Sequence, residues 1–200
     1  SAADFLADGL KVSASFSTDS GAAKTATARM DSSWGVGATY VTSAGDTALT
    51  IGAGVSGSDI TTNLTTQSSA DQEGFHVGLS AVTGDLTVAV GFADGDTFAN
   101  QTGTGANQSI QGSVVKAGIK YVTGDLTLQL GSVSGEGKDR AFGGDLGNDD
   151  AHDEIDGSVT YAVASGVSAV LGYTSVDAQD EGASSNTGGS AWYIGATMSF

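Results

Sequence analysis

The stretch Ser190-Ala-Trp-Tyr-Ile-Gly-Ala-Thr-Met-Ser-Phe200 decides the fold class, because its side chains alternate in character with a period of two. One face of an extended strand would carry Trp192, Ile194, Ala196, Met198 and Phe200. The other face would carry Tyr193, Gly195, Thr197 and Ser199. The pattern therefore predicts a β-strand that is apolar on one side and mostly small or polar on the other.

The composition limits how a chain of 200 residues could meet a membrane or a nucleic acid. Glycine accounts for 31 residues, and proline and cysteine are absent. No apolar run approaches the ~18 to 20 residues of a membrane-spanning helix, so a membrane role would require strands. The lack of cysteine excludes disulfides and thiolate metal sites. The formal charge of −16 argues against nucleic acids and anionic lipid surfaces as partners.

One unit, a β-hairpin with a tight turn, repeats along the chain. A first strand is predicted at 10–16, and four hairpins follow with turns at 43–46, 82–85, 122–125 and 164–166. Long polar loops are predicted between these units, at 18–31, 56–72, 93–112, 134–153 and 175–189. With the final strand, the pattern predicts ten antiparallel strands of about ten residues each.

Short turns alternate strictly with long loops in this array. Because alternate connections of an antiparallel meander lie at opposite ends of the sheet, one end is predicted to carry only tight turns and the other only long acidic loops. Outer-membrane β-barrels have this layout. The last strand also resembles the closing strand of such barrels, and that resemblance makes Phe200 an assembly signal. We therefore predict an all-β, antiparallel transmembrane β-barrel in the bacterial outer membrane, with 1–200 forming a single domain.

The inward positions of the predicted strands are mostly Ser, Thr, Gly and Ala. Such small side chains would leave a closed barrel of ten strands unfilled, whereas a wider barrel encloses water. The sequence therefore favours a wider barrel to which these strands contribute. The longer inward side chains, which we expect to line the pore, are Lys11, His76, Lys116, Lys120 and Gln129. The lysines would favour polar over apolar solutes.

The sequence resembles the C-terminal two-thirds of a general porin of the α-proteobacterial Rhodobacter type. The resemblance is carried by the strand at 9–16, the Val-Thr-Gly-Asp turns that begin at Val82 and Val122, and the closing Tyr193-Ile-Gly-Ala-Thr-Met-Ser-Phe200. It implies a homotrimer of sixteen-stranded barrels through which small hydrophilic solutes and ions diffuse passively. It also implies that roughly six strands and an inward-folded constriction loop precede this segment.

An acidic segment, Gly143-Gly-Asp-Leu-Gly-Asn-Asp-Asp150, lies just before His152, Asp153 and Glu154. Carboxylate and amide oxygens are the ligands that Ca²⁺ takes. The candidate ligands are Asp145, Asp149, Asp150 and Asp153. These acids would bind Ca²⁺, share divalent cations with lipopolysaccharide, or form an ordinary solvated loop. No cofactor is required for the predicted function.

Two other functions stay open on the sequence alone. A complete ten-stranded outer-membrane barrel would act as an adhesin or binding protein, and a secreted acidic β-protein would have loops stabilised by Ca²⁺. Catalysis is not expected, because His76 and His152 are predicted at different heights, one in a strand and one in a loop. The sequence also lacks a Gly-x-Ser-x-Gly elbow, a phosphate loop and zinc-ligand spacing.

Overall fold

The computed structural model describes residues 8–18, 29–63, 68–99, 108–138, 149–179 and 186–199. These residues form the strands β1 (Leu10–Thr18), β2 (Arg29–Ala44), β3 (Thr47–Asn63), β4 (Ser68–Thr83), β5 (Leu86–Ala99), β6 (Gln108–Thr123), β7 (Leu126–Lys138), β8 (Asp149–Ala164), β9 (Val167–Gln179) and β10 (Thr187–Met198). All ten belong to one sheet, in which each strand pairs with its neighbours in sequence. Within the described ranges, no helix is long and apolar enough to cross a membrane.

Four two-residue turns join consecutive strands at one end of the sheet, and glycine allows each of them. Gly45, Gly84, Gly124 and Gly166 have φ angles of 60°, 54°, 56° and 73°. This left-handed region strains most residues but not glycine, which has no Cβ. The four turns lie where the sequence predicts them.

At the other end of the sheet the strands are longer than the sequence predicts. β3 has 17 residues and β8 has 16, against an expectation of about ten. Thr61 pairs with Ser69, and Lys138 pairs with Asp149, inside segments predicted as loops. Glycine-rich polar segments have no apolar period to reveal a strand, so backbone pairing with the neighbour extends these strands without a sequence signal.

The two faces of the sheet differ as the alternation predicts. One face, the apolar face, carries residues such as Ile51, Leu79 and Val90, which lie opposite one another on β3, β4 and β5. The other, the glycine-rich face, carries Gly52, Gly78 and Gly91 at the next positions. Large hydrophobic side chains are exposed along the whole sheet; Leu79, for example, is 43% exposed.

The sheet curls around its glycine-rich face. A cavity of about 1040 Å³ is lined by residues from β2, such as Ser33, through to Thr187 of β10. A second cavity of about 880 Å³ extends from Ser13 of β1 to Lys116 of β6. Strands so far apart in the sheet order can border one cavity only if the sheet curves strongly. The glycine-rich face is therefore concave and the apolar face convex.

Aromatic side chains border the apolar residues of the convex face at both ends. Those nearer the tight turns are Tyr40, Tyr121 and Tyr161. Those nearer the other end are Phe16, Trp34, Phe75, Phe92, Tyr173 and Trp192. The Phe75 and Phe92 ring centroids are 5.6 Å apart, and those of Tyr173 and Trp192 are 4.6 Å apart. Transmembrane barrels place aromatic girdles of this kind at the two membrane–water interfaces.

The strands β1 and β10 form the two edges of the sheet. Among the described residues β1 pairs only with β2, and β10 pairs only with β9. Apolar side chains at these edges are the most exposed of the convex face, with Phe16 at 69%, Trp192 at 71% and Ile194 at 85%. Unpaired backbone groups in hydrocarbon cost several kcal/mol each, so an edge at membrane depth requires a pairing partner.

Candidate functional site

The concave face carries all five residues predicted to line a pore: Lys11, His76, Lys116, Lys120 and Gln129. Lys120 and Gln129 lie opposite each other on β6 and β7, and Lys116 is on the same face of β6. Lys11 belongs to the edge strand β1, five strands away from Lys116 in the sheet order. The structure therefore groups Lys116, Lys120 and Gln129 and leaves Lys11 apart from them.

His76 lies against the neighbouring strand because its opposite residue there is Gly54. A Cβ built on Gly54 would lie 2.8 Å from His76 Nε2, so a side chain at that position would displace the imidazole. The imidazole is thus held beside the wall of the cavity, which it helps to line.

His152 lies on the concave face as well, so its predicted place in a loop at a different height from His76 is wrong. The register His76–Ala93–Val114–Gly135–His152 puts both histidines in one row across β4 to β8. They are four strands apart, which is roughly 19 Å along the sheet. They do not converge as a catalytic pair would. His152 Nε2 instead lies 3.7 Å from Glu154 Oε2.

Two carboxylates on the concave face were missed by sequence reasoning. Glu154 lies opposite Val133 on β7, and Asp156 lies opposite Gly131. Both alternate with Ile155, which is 53% exposed on the convex face. That alternation is the signal in the sequence, because residues on either side of an apolar position in a strand lie on the opposite face. The wall formed by β6, β7 and β8 therefore carries charges of both signs.

Tyr193 of β10 covers Gly172 of β9 on the concave face, where any Cβ would overlap its ring. We expect Gly172→Ala to lower the free energy of unfolding by about 1–3 kcal/mol, because the ring must leave its position. Gly195→Ala is the matched control, since its Cβ would meet only Val170 Cγ1, at 3.6 Å. Urea unfolding of the two variants in lipid vesicles measures the difference. Equal midpoints would show that the Tyr193–Gly172 contact contributes nothing to stability.

The predicted calcium ligands are only partly within the described residues. Asp153 is exposed and lies opposite Asp177 on β9. Asp149 and Asp150 belong to the start of β8, where their backbones pair with Lys138 and Gly137. Asp145 lies outside the described residues, as does Phe200. In the part of the chain that is described, no three His, Cys, Asp or Glu side chains come together to hold a metal ion. Calcium binding stays a prediction.

Residues 4–200 match the sequence profile of the Gram-negative porin family. The chain belongs to this family. Membership places this porin in the bacterial outer membrane, so the alternative of a secreted acidic protein is wrong. No curated protein matches the sequence.

Solved outer-membrane structures share the fold of this porin. OmpTdeltaL8, a loop L8 deletion mutant of the outer membrane protein OmpT of Vibrio cholerae, aligns at 17% identity and a TM-score of 0.59, over 96% of this chain and 59% of its own. OccK5 (OpdH) of Pseudomonas aeruginosa aligns at 12% identity and a TM-score of 0.59, over 98% of this chain and 56% of its own. The chain thus spans less than two-thirds of the length of either protein. The predicted all-β, antiparallel outer-membrane barrel fold is confirmed.

Proposed function

We propose that this chain forms the wall of a water-filled channel through which small hydrophilic solutes and ions diffuse passively across the outer membrane. The observation that carries the proposal is the concave face, which is lined by small residues and borders cavities of about 1040 and 880 Å³. Glycines such as Gly52, Gly78 and Gly91 contribute no side chain to fill the space that the sheet encloses. Membership of the porin family supports this reading.

The barrel is closed, in this proposal, by further strands that pair with β1 and β10. Both edges carry exposed apolar residues at membrane depth, where an unpaired backbone is costly. The complete barrel is of the Rhodobacter type, with sixteen strands and three barrels in a homotrimer, as the resemblance in the strand at 9–16 and in the turns implies. A closed barrel of ten strands is disfavoured, because the small concave residues would leave its interior unfilled.

No chemical step is part of the proposed function. The two histidines are separated by three strands, and His152 has Glu154 as its neighbour. The side chains that project into the lumen act through their charge and size, as in other selective pores.

The acidic residues at the end of the sheet opposite the tight turns are proposed to face lipopolysaccharide. On the convex face, beyond the aromatic residues, lie Asp59, Glu73, Asp94, Glu136, Asp153 and Asp177. Carboxylates at this level would share divalent cations such as Ca²⁺ with lipopolysaccharide phosphates. Asp145, Asp149 and Asp150, the candidate Ca²⁺ ligands of the acidic segment, are proposed to bind cations that are shared in the same way.

Swelling of liposomes that contain the native protein tests the channel function. In isosmotic solutions of neutral sugars, we expect swelling that slows as the sugar becomes larger and does not saturate with concentration, because diffusion through water is limited by pore width. Liposomes with heat-denatured protein are the control. Folded, membrane-inserted protein that admits not even a pentose would contradict the proposal.

A further inference from the structure

A gap without side chains lies in the middle of the charged part of the concave wall. Gly118 of β6 and Gly131 of β7 face each other in register there. A Cβ built on Gly118 would meet only the carbonyl oxygen of Leu130, at 3.6 Å, so the space above Gly118 is open. We call the gap formed by Gly118 and Gly131 the glycine notch.

The carboxylate of Asp156 leans into the glycine notch. Asp156 lies opposite Gly131 on the adjacent strand β8, and a Cβ built on Gly131 would lie 2.6 Å from Asp156 Oδ1 and 3.3 Å from Oδ2. The carboxylate therefore rests on the β7 backbone and points away from β9, towards β6. Only glycine at position 131 permits this placement.

Two lysines border the notch on its other side. Lys116 and Lys120 are each two residues from Gly118 on β6, about 6.6 Å along the strand, and share its concave face. Among the described residues, neither lysine and no oxygen of Asp156 has an opposite charge within 4.0 Å. Glu154, the other nearby carboxylate, lies in the same row as Lys116 but two strands away, roughly 10 Å. The opposite charges thus face each other across the notch without pairing.

Unpaired charges of both signs select solutes that carry both signs. A simple anion is attracted by the lysines but repelled by Asp156. A simple cation is attracted by Asp156 but repelled by the lysines. A small zwitterion is attracted at both of its charged ends, whereas an uncharged solute of the same size is neither attracted nor repelled by these charges. We propose that the glycine notch is a docking site for small zwitterionic solutes such as amino acids, with the solute carboxylate on Lys116 and Lys120 and its ammonium group on Asp156. This inference rests on the proposed channel function.

The test compares two isomers of nearly the same size, alanine and lactamide. Alanine is a zwitterion, whereas lactamide is an amide with no ionised group. Uptake of each at low concentration into liposomes containing the native protein gives their permeability ratio. Because contacts between solvated charges are weak, we expect alanine to be favoured about two- to fivefold. Asp156→Asn and, independently, Lys116→Gln with Lys120→Gln should each bring the ratio close to one. Asp46→Asn, which removes a carboxylate in the tight turn after β2, should leave the ratio unchanged.

The outcomes separate this inference from the channel function. Equal permeation of alanine and lactamide through the native protein would overturn the docking site and leave the channel intact. A preference that survives both the Asp156 and the double lysine substitutions would also overturn it. If neither isomer enters the liposomes, the proposed channel function fails, and the docking site fails with it.

Discussion

Replacing Leu79 with Arg will weaken folding into a membrane by about 2–4 kcal/mol, whereas replacing the next residue, Ser80, with Arg will cost far less. Leu79 lies on the convex face between Ile51 and Val90, in the middle of the apolar residues. An Arg there would have to be buried in hydrocarbon. Ser80 is on the concave face, where an Arg would extend into water.

Both substitutions introduce Arg at neighbouring positions of β4, so the new side chain and its depth are matched and the face on which it lies differs. Urea titration of each variant in lipid vesicles measures the free energy of folding. Similar losses at Leu79 and Ser80 would contradict the assignment of the convex face to lipid and of the concave face to water. A larger loss at Ser80 would reverse the assignment.

Reversing the charge of the lysines on β6 will change which ions the channel prefers. In Lys116→Glu with Lys120→Glu, we expect the permeability ratio of K⁺ over Cl⁻ to rise about fivefold or more at 0.1 M salt, because a unit charge a few ångströms from the ion path contributes about 1 kcal/mol even in water. The change should fade at 1 M salt, where the Debye length falls to about 3 Å.

Reversal potentials across planar bilayers measure this ratio. Lys116→Gln with Lys120→Gln provides the matched control, since it removes the positive charges without adding negative ones, and its ratio should be intermediate. An unchanged ratio at low salt in the Glu variant would show that these lysines do not face the ion path.

The strands and their faces follow from the sequence because a half-buried strand leaves a period-2 signal. Leu86, Val88, Val90 and Phe92 alternate with smaller residues, and the Gly84-Asp85 turn before them fixes where the strand begins. One alternation therefore defines both the strand and the side of the sheet on which each residue lies.

The outer ends of the strands could not be predicted in the same way. Residues 149–154 at the start of β8 are mostly acidic, and neither face there is apolar. They form a strand because β7 offers a backbone to pair with. For the same reason the sequence predicts a loop at His152, where the structure has a strand.

The glycine notch could not be predicted from the sequence, because it depends on the register of three strands. That Gly118 meets Gly131, and that Asp156 lies beside them, depends on how far β6, β7 and β8 are shifted against one another. The turns limit this register within the β6–β7 hairpin. A long connection joins β7 to β8, and its sequence does not determine the register of one strand against the other.

The central claim is that the concave face encloses water, and conductance of the native protein in planar lipid bilayers tests it most directly. We predict large stepwise increases in current that scale with the bulk conductivity of the salt solution, because ions would move through an open aqueous lumen. Protein that inserts into the bilayer in folded form but carries no current would contradict the claim, since the space inside the curved sheet would then be filled.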